Sequence, residues 1–352
     1  MHTQNEKIYF ISDIEMGRGD ITDDFSDDEA VKEFLESIQA SEPDQKITLV
    51  LNGDIFDFLK MPYQNEYPRY ITERVSLWKL SEAMKAHPKV FEGMKEFLKN
   101  DHHHIHFVIG NHDPDMVWPA VQEKIQDTLG SKKRITFDYW FQKSDLHAEH
   151  GNLEDPFFAI NPKKPFVKYK GLTILNLPWG AHACFSHLIN LKKKFPKEES
   201  YFPKPLAMKK NKEFEKESRK TTWRLATKSL LIDPILHFTD PTYRVPYGKF
   251  LKHILHFGFE FIDDEKLMEG WVQRLIKTHP KNNTFIFGHA HVPTDTEKEG
   301  KRVIITDTWR NEYDLRNGGA KKEKTYAKVE YKDGKIADAG LQIFPSGCGA
   351  VG

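Results

Sequence analysis

The chain has 352 residues, no net formal charge, 39% hydrophobic and 12% aromatic residues, enough for one large domain or two ordinary ones. This composition excludes a low-complexity chain, and no apolar run approaches the length that spans a bilayer. Because Cys184 and Cys348 lie far apart and no signal peptide precedes the first apolar run, we expect a reduced, cytoplasmic protein.

Charge is unevenly distributed along the chain. Residues 1–60 contain 15 acidic and 5 basic residues, whereas residues 161–260 contain 20 basic and 8 acidic residues. The acidic start suits a site that holds divalent cations. The basic middle indicates an anionic partner, with a solvated lysine-rich surface as the alternative.

Predicted strands and helices alternate over the first 150 residues. The apolar, often β-branched runs that predict strands span residues 7–12, 46–52, 105–110, 134–141 and 145–150. Helices are predicted at 28–40, where Val31, Phe34, Leu35 and Ile38 share one face, and at 117–129. This alternation predicts a layered α/β domain.

The sequence pattern changes between about residues 156 and 280. Prolines, lysines and aromatic residues become frequent there, and the alternation of predicted strands and helices fades. Residues 157–261 hold 18 of the 44 aromatic residues, and two stretches, 216–231 and 247–262, are amphipathic. We interpret this part as an insertion in the α/β domain.

The α/β pattern returns near the end of the chain, at 284–288 and 302–307. Asp333-Gly334 then predicts a hairpin between 326–331 and 336–344. We therefore divide the chain into a first part of the catalytic core at 1–155, a basic, aromatic-rich helical insertion at 156–280, and a second part of the core at 281–352.

Five short segments carry metal-ligand residue types directly after predicted strands. In chain order they are Asp13-Ile14-Glu15, Gly53-Asp54, Gly110-Asn111-His112-Asp113, His150-Gly151 and Gly288-His289-Ala290-His291. Ligands of open α/β sheets bind at the carboxyl ends of the strands. A cluster of Asp, Asn and His there can hold two divalent ions roughly 3.5–4 Å apart. Each segment alone could be a turn or a satisfied polar residue, but their joint occurrence predicts a two-metal site.

The pattern resembles the calcineurin-like metallophosphoesterases, whose usual motifs are DxH, GDxxD, GNH(D/E), HG and GHxH. This sequence offers DIE, GDIFD, GNHD, HG and GHAH, and Ile304–Trp309 resembles the strand that often follows the last motif. The resemblance covers about residues 6–155 and 284–310. It implies a four-layer α/β/β/α sandwich with a large, mainly helical cap insertion, and hydrolysis of a phosphomonoester, phosphodiester or pyrophosphate bond.

The resemblance also implies a role for each matching residue. Asp54 would bridge two metal ions, of which the first binds Asp13 and His291 and the second binds Asn111, His150 and His289. A metal-bridging hydroxide would attack phosphorus in line. His112 would protonate the leaving oxygen, with Asp113 orienting it.

Glu15 departs from the family pattern, which usually has His at this position. Three acidic residues, Asp13, Glu15 and Asp54, then surround the first site. This donor set favours Mn²⁺ or Mg²⁺ over Zn²⁺, with Fe²⁺ as a further alternative. We expect Glu15 to bind the metal directly; the alternative is a contact through water and a weak first site.

Several residues near the motifs carry weaker signals. Arg18 and Arg310 could reach a substrate phosphate, or form surface salt bridges instead. We expect Asp57 to lie behind the ligands or to start a helix. The tract His102-His103-His104 with His106 is expected in an exposed loop without a metal.

The insertion resembles, in its position, the helical lid of the UDP-2,3-diacylglucosamine pyrophosphatases. A lid of this kind implies peripheral contact with lipid or a membrane surface, whereas a cap with its own core is the simpler explanation of its aromatic residues. In the stretch 247–262, the residues that can share an apolar face are Phe250, Leu251, Ile254, Leu255 and Phe257. Those enzymes typically read GNRD where this chain reads GNHD, so their activity is not assigned.

Two other functions stay open. A metal-dependent nuclease would suit the basic insertion, but that insertion lacks a recognisable nucleic-acid module, so nucleic acid is the less favoured partner. A degenerate fold that serves as a scaffold would be marked by Glu15, although Asn111, His112 and both histidines of GHAH are present. No obligate protein partner is evident.

Overall fold

The strands and helices follow one another in the alternation that the sequence predicts. The computed structural model describes residues 5–41, 45–155, 157–248 and 264–345, so most of the amphipathic stretch 247–262 lies outside the described residues. The strands are β1 (Glu6–Ile11), β2 (Lys46–Asn52), β3 (His103–Val108), β4 (Ile135–Asp138), β5 (Trp140–Lys143), β6 (Leu146–Glu149), β7 (Phe166–Tyr169), β8 (Leu172–Leu175), β9 (Tyr201–Phe202), β10 (Thr284–Phe287), β11 (Thr294–Lys298), β12 (Lys301–Ile305), β13 (Tyr313–Asp314), β14 (Ala320–Lys321), β15 (Lys324–Lys332) and β16 (Lys335–Phe344). The α-helices are α1 (Asp28–Ser41), α2 (Glu73–Ala86), α3 (Pro88–Phe97), α4 (Pro119–Leu129), α5 (Trp179–Ala183), α6 (Ile189–Lys194), α7 (Lys204–Lys210), α8 (Lys212–Leu231), α9 (Asp233–Leu236) and α10 (Asp264–Thr278).

Two mixed sheets form the centre of the molecule. The first has the order β16-β15-β1-β2-β3-β4, with β1 to β4 parallel and β15 and β16 antiparallel. The second has the order β11-β12-β10-β6-β5, with antiparallel strands at both edges. Asp333 (φ 52°) and Gly334 (φ 78°) both adopt the positive φ that a two-residue hairpin turn requires, which confirms the predicted hairpin.

The sheets pack face to face, and helices cover their outer faces. Phe10 and Val50 of the first sheet meet Ile286 and Ile304 of the second in one buried cluster. A larger cluster joins the outer face of the first sheet to α1, α2, α3 and α4, and a smaller one joins the second sheet to α10. The result is the expected α/β/β/α order of layers.

Helix α1 shows how the sequence specifies this packing. Asp28 and Glu29 lie in its first turn, where their negative charges interact favourably with the positive end of the helix dipole and stabilise the helix. Its buried residues are Ala30, Val31, Phe34, Leu35 and Ile38, which include the four predicted. The ring of Phe34 packs against that of Trp309 with the ring centres 5.1 Å apart. The helix is thereby attached to the segment that follows the last motif.

The single strand predicted at 134–141 is wrong, because the chain changes sheets within it. β4 pairs with β3 in the first sheet, and β5 pairs with β6 in the second. Between them, the backbone N–H of Tyr139 donates to the Asp138 carboxylate (2.7 Å) rather than to a strand. Periodicity alone does not reveal such a crossing, because both halves have strand-like patterns.

The histidine tract also differs from the expectation of an exposed loop. Strand β3 begins at His103, which is fully buried. Its ring stacks on Phe97 with the ring centres 4.4 Å apart, and its Nδ1 donates to the Phe97 carbonyl (2.9 Å). Of the tract, only His102 is exposed, and His104 and His106 are half-buried.

The range predicted as an insertion is mainly helical where it is described. The predicted amphipathic stretch 216–231 forms most of α8, whereas α10 packs on the second sheet. Strand β9 pairs with β13 and so joins this range to the C-terminal part of the chain. The domain boundaries at 155 and 280 stay a prediction. None of the described helices combines the length and the apolar character needed to cross a bilayer.

His87, at the junction of α2 and α3, makes stability depend on pH. Its Nε2 donates to Asp23 (3.0 Å) and its Nδ1 to Asp28 (3.1 Å). Burial acts to lower the pKa of His87, but these carboxylates outweigh it and raise the pKa to about 9. Because the folded pKa is the higher one, the stabilisation is complete below pH 6.5 and is lost as the pH rises through about 9.

We therefore expect the stability difference between the wild type and His87→Gln to shrink by about 2–3 kcal/mol between pH 6 and pH 9.5. Urea unfolding of both proteins at several pH values measures it, and the comparison cancels the other titrating groups. A difference that is independent of pH would contradict the charged state of His87.

Candidate metal centre

The five motifs meet at one edge of the two sheets. Asp13, Asp54 and Asn111 follow β1, β2 and β3 of the first sheet, whereas His150 and His289 follow β6 and β10 of the second. All are thus at carboxyl ends of parallel strands. The face-to-face packing of the sheets brings together residues that are far apart in the chain. The backbone N–H of His289, for example, donates to Asp13 Oδ2 (3.1 Å) across 276 residues.

One group of side chains contains Asp54, His150 and His289, whose ligand atoms lie within 4.8 Å of one another. His150 Nδ1 donates to the Asn52 carbonyl (3.0 Å), which orients the ring so that Nε2 lies 2.9 Å from Asp54 Oδ2. The buried Asn111 Oδ1 makes no hydrogen bond to any described residue. A buried polar atom without a partner is costly, so Asn111 Oδ1 fits a metal ion.

A second group contains Asp13, Glu15 and His291. His291 Nε2 lies 3.2 Å from Asp13 Oδ1 and 3.6 Å from Glu15 Oε1. Its Nδ1 donates to Glu312 (3.0 Å), the carboxylate–histidine arrangement that orients metal-binding imidazoles. Asp13 Oδ1 is also 3.9 Å from His150 Nε2, so the two groups are neighbours, as a two-metal site requires.

The backbone of these residues is strained. Positive φ angles of 52–70° occur at five of the predicted ligands: Asp13, Glu15, Asp54, His289 and His291. This conformation costs roughly 1–2 kcal/mol for a residue with a side chain. Such strain concentrates at functional sites, where the surrounding structure holds it.

Two glycines of the motifs allow the ligands to approach each other. A Cβ on Gly53, whose φ is +89°, would lie 2.5 Å from the Cβ of His150. A Cβ on Gly110 would overlap the Asp54 carboxylate and lie 2.5 Å from its backbone nitrogen. In each of these two motifs, the residue before the ligand must therefore be glycine, because a side chain there would overlap a neighbouring ligand.

His112 is oriented by Asp57 rather than by Asp113. Its Nδ1 donates to Asp57 (2.9 Å), which also caps the short 3-10 helix Phe58–Lys60. Asp113 instead accepts the backbone N–H groups of Gly110 and Ile55, both at 2.7 Å, and so joins the two motif loops. The expected role of Asp113 is thus corrected, because its carboxylate oxygens are engaged by the backbone. Asp57 starts the helix Phe58–Lys60, as expected.

The carboxylates of the site also control the protonation of its histidines. Burial acts to lower the pKa of each ring, but Asp54 and Asp13 outweigh it at His150 and raise its pKa to about 9. Asp13 and Glu312 likewise raise the pKa of His291 to about 10. Both rings thus carry an additional proton at neutral pH until a metal displaces it.

We therefore expect Mn²⁺ binding at pH 7 to release about two protons per chain, one from His150 and one from His291. Calorimetric titration in two buffers of different ionisation enthalpy measures the number. Apparent affinity should rise with pH up to about 10, where both rings have lost the additional proton. A proton release near zero would show that these rings are already neutral.

The two arginines proposed for the substrate have different surroundings. Arg18 pairs with Asp20 and does not line the cavity that borders the metal ligands. Arg310 does line this cavity, but it is buried and holds Glu15 (2.8 Å) and Glu312 (2.7 Å). Neither arginine is therefore poised for a substrate without first giving up an ion pair.

Three residues of the site carried no motif of their own. Glu312 supports His291, and Asp155 lies 3.4 Å from His289 Nε2. Lys60 is buried and contacts Asp57 (2.9 Å) and Glu15 (3.5 Å). Glu312 lies two residues after Arg310, and only proximity to known motif residues could have indicated it or the other two.

A calcineurin-like phosphoesterase family model matches residues 6–321, and the chain therefore belongs to this family of phosphoric ester hydrolases. The match includes residues 156–280, the range predicted as an insertion. The family is dimetal-dependent, which agrees with the two side-chain groups described above. No curated protein matches the sequence.

Several solved structures are similar at low sequence identity. A dimetal phosphatase from Danio rerio has 10% identity, with 93% of both chains covered and a TM-score of 0.38. A putative 5′-nucleotidase from Staphylococcus aureus has 12% identity, with 97% of this chain and 54% of that chain covered and a TM-score of 0.36. A predicted phosphoesterase from Streptococcus pneumoniae has 11% identity, with 98% and 95% covered and a TM-score of 0.27.

Proposed function

We propose that the protein hydrolyses a phosphomonoester, phosphodiester or pyrophosphate bond with two divalent ions bound at the metal centre. The observation that carries this proposal is the meeting of two ligand groups with the His112–Asp57 pair along one cavity. When bound, two such ions supply Lewis-acid charge and an activated water for displacement at phosphorus.

The residues of the chain would divide the work as follows. The first ion would be held by Asp13, Glu15 and His291, and the second by Asn111, His150 and His289, with Asp54 placed to serve both. Burial acts to lower the pKa of His112, but Asp57 and Asp54 outweigh it and raise it to about 10. His112 therefore carries a proton at neutral pH, which it can donate from Nε2 to the leaving oxygen.

Mn²⁺ is the metal that we propose first. The first ligand group has two carboxylates and one imidazole, and the second has a carboxylate, an amide oxygen and two imidazoles. Sites that mix oxygen with few nitrogen ligands favour Mn²⁺ or Mg²⁺ over Zn²⁺. Fe²⁺ is the alternative that shares most of these ligand preferences.

The cavity supports a substrate that is both anionic and partly apolar. Its volume is about 250 Å³. Leu59, Phe158 and Leu188 form apolar parts of its lining, and its basic residues include Lys192, which pairs with Asp24, and Lys204. A pyrophosphate-linked lipid combines these two properties, and we propose it as the leading specific substrate.

Hydrolysis by metal-stripped protein tests the proposal. We would supply p-nitrophenyl phosphate and bis-p-nitrophenyl phosphate, and add back Mn²⁺, Mg²⁺, Zn²⁺ or Fe²⁺. We expect turnover that Mn²⁺ restores and that Asn111→Ala abolishes, and the preferred ester separates monoesterase from diesterase activity. Asn282→Ala, which changes a buried asparagine that does not line the cavity, is the matched control.

If no added metal restores hydrolysis, the number of metal ions bound per chain distinguishes the remaining explanations. Two bound ions per chain would indicate an enzyme that is selective for its natural ester. No bound metal would contradict the proposal and favour the scaffold alternative. Salt-sensitive binding and cleavage of nucleic acid would favour the nuclease.

We also propose that the α8–α9 region contacts an anionic membrane surface. Trp223, Leu231, Ile235 and Phe238 are 60–89% exposed there, which is unusual for large apolar residues so close together. The same helix exposes several cations, among them Arg224. Apolar side chains flanked by cations are typical of interfacial helices. This would place a cytoplasmic enzyme at the membrane periphery.

Sedimentation with lipid vesicles tests the membrane contact. We expect binding to vesicles that contain phosphatidylserine and little binding to pure phosphatidylcholine. Phe238→Ser should weaken it, whereas Ile343→Ser, which changes an equally apolar residue exposed on β16, should not. Equal binding of both variants would overturn the assignment of this surface.

A further inference from the structure

Glu15 presents its two carboxylate oxygens to different partners. Oε2 accepts from Arg310 Nη1 (2.8 Å) and lies 3.5 Å from Lys60 Nζ. Oε1 faces the other way, 3.6 Å from His291 Nε2. The residue is only 2% exposed. One oxygen is thus engaged by cations, while the other faces the first ligand group.

Arg310 reaches the same ligand group from a second side. Its Nε and Nη2 donate to Glu312 Oε1 at 3.1 and 2.7 Å. That same oxygen accepts from His291 Nδ1 (3.0 Å). The planar guanidinium therefore contacts Glu15 directly and is linked to His291 through Glu312.

Charge gives a reason for this arrangement. A carboxylate at position 15, where the family usually has a neutral His, adds a buried negative charge beside Asp13 and Asp54. A buried charge needs a partner with good geometry. Arg310 is such a partner, since it is itself buried and forms two short ion pairs.

We propose that Arg310 is a positioning residue for the first metal ion, which holds Glu15 and, through Glu312, His291 in place. The proposal rests on the proposed function, because it takes the Asp13–Glu15–His291 group as a metal site. It changes the role of Arg310 from a substrate contact to a support of the metal ligands. Glu15 and Arg310 then form one functional unit.

A lysine cannot replace this arginine fully. Arg310 contacts Glu15 and Glu312 through different nitrogens of one rigid, planar guanidinium group. A lysine ammonium group is a single charged centre and cannot reproduce this geometry. Lys60 cannot substitute for it either, because it is already shared among Asp24 (2.8 Å), Asp57 (2.9 Å) and Glu199 (2.9 Å).

The test is Mn²⁺ binding by the Arg310→Met variant of the whole chain. Binding is measured by calorimetry and by electron paramagnetic resonance. We expect the wild type to bind two ions that are magnetically coupled. In the variant the first site should weaken by about 10–100-fold, the effect typical of losing support behind a metal ligand. The spectrum should then change to that of an isolated ion. Arg316→Met, which removes a surface ion pair with Asp314, is the control and should bind two coupled ions.

A second variant tests the charge argument. Because a neutral His needs no compensating cation, Glu15→His combined with Arg310→Met should recover much of the first-site affinity that Arg310→Met loses. Arg310→Lys should recover only part of it. If Arg310→Met fails to fold, Arg310→Lys and Glu312→Gln provide the same comparison, and both should weaken the first site selectively.

Two outcomes separate this inference from the proposed function. Two coupled ions of wild-type affinity in Arg310→Met, together with a raised KM, would overturn the positioning role and restore the substrate contact. A wild type that binds no Mn²⁺ would instead contradict the proposed function itself.

Discussion

Replacing His112 by Gln lowers kcat of the Mn²⁺-loaded protein by about 10²–10⁴-fold, the range that loss of a general acid produces. The variant should still bind two ions, because His112 belongs to neither of the ligand groups around Asp13 and Asp54. Steady-state kinetics together with metal analysis measures both quantities.

The leaving group distinguishes proton donation from a structural effect. An alkyl phosphoester, whose leaving oxygen needs a proton, should lose far more rate than a p-nitrophenyl ester, whose oxygen leaves as a stable anion. His102→Gln is the matched control, because His102 is exposed in the chain segment before β3. Equal losses for both esters would show that His112 does not act as the acid.

Gly53→Ala should lower the free energy of unfolding by about 2–5 kcal/mol and reduce the bound metal from two ions to one. The first contribution is the left-handed backbone, roughly 1–2 kcal/mol for a residue with a Cβ. The second is the overlap of this Cβ with the His150 side chain, for which overpacking costs about 1–3 kcal/mol. Displacing His150 also removes a ligand of the second ion.

Gly171→Ala separates the two contributions. Gly171 has a similar φ of +79°, in the turn between β7 and β8, and a Cβ there would meet nothing within 4 Å. It should therefore lose only the backbone contribution and keep both metals. Urea unfolding and metal analysis of the two variants make the comparison. Equal stability losses would show that the contact with His150 does not matter.

The sequence could predict which strand ends form the site, because each motif follows a run whose strand pattern is unambiguous. Strand β2 spans residues 46–52 as predicted, and the His150 and His289 motifs follow β6 and β10. Parallel strands place such ends at one edge. The positions of the ligands therefore follow from local pattern plus one rule of sheet geometry.

Other features depend on contacts that no local pattern records. The division of residues 134–141 between two sheets is decided by which partner strand each half meets. The support of His112 by Asp57 and of His291 by Glu312 depends on side-chain directions within loops. For the same reason Arg310 could be predicted to lie near the site, whereas its partners could not.

The position of β1 has a consequence for the order of synthesis. This strand is synthesised long before β15, yet it lies between β2 and β15, and Ile8 pairs with Val329. Until the last hairpin is made, one edge of β1 keeps unpaired backbone groups, and part of the core between the sheets lacks Ala327 and Val329. Closing so long a loop is entropically costly. The nascent chain therefore completes the first sheet only after β15 and β16 have been translated.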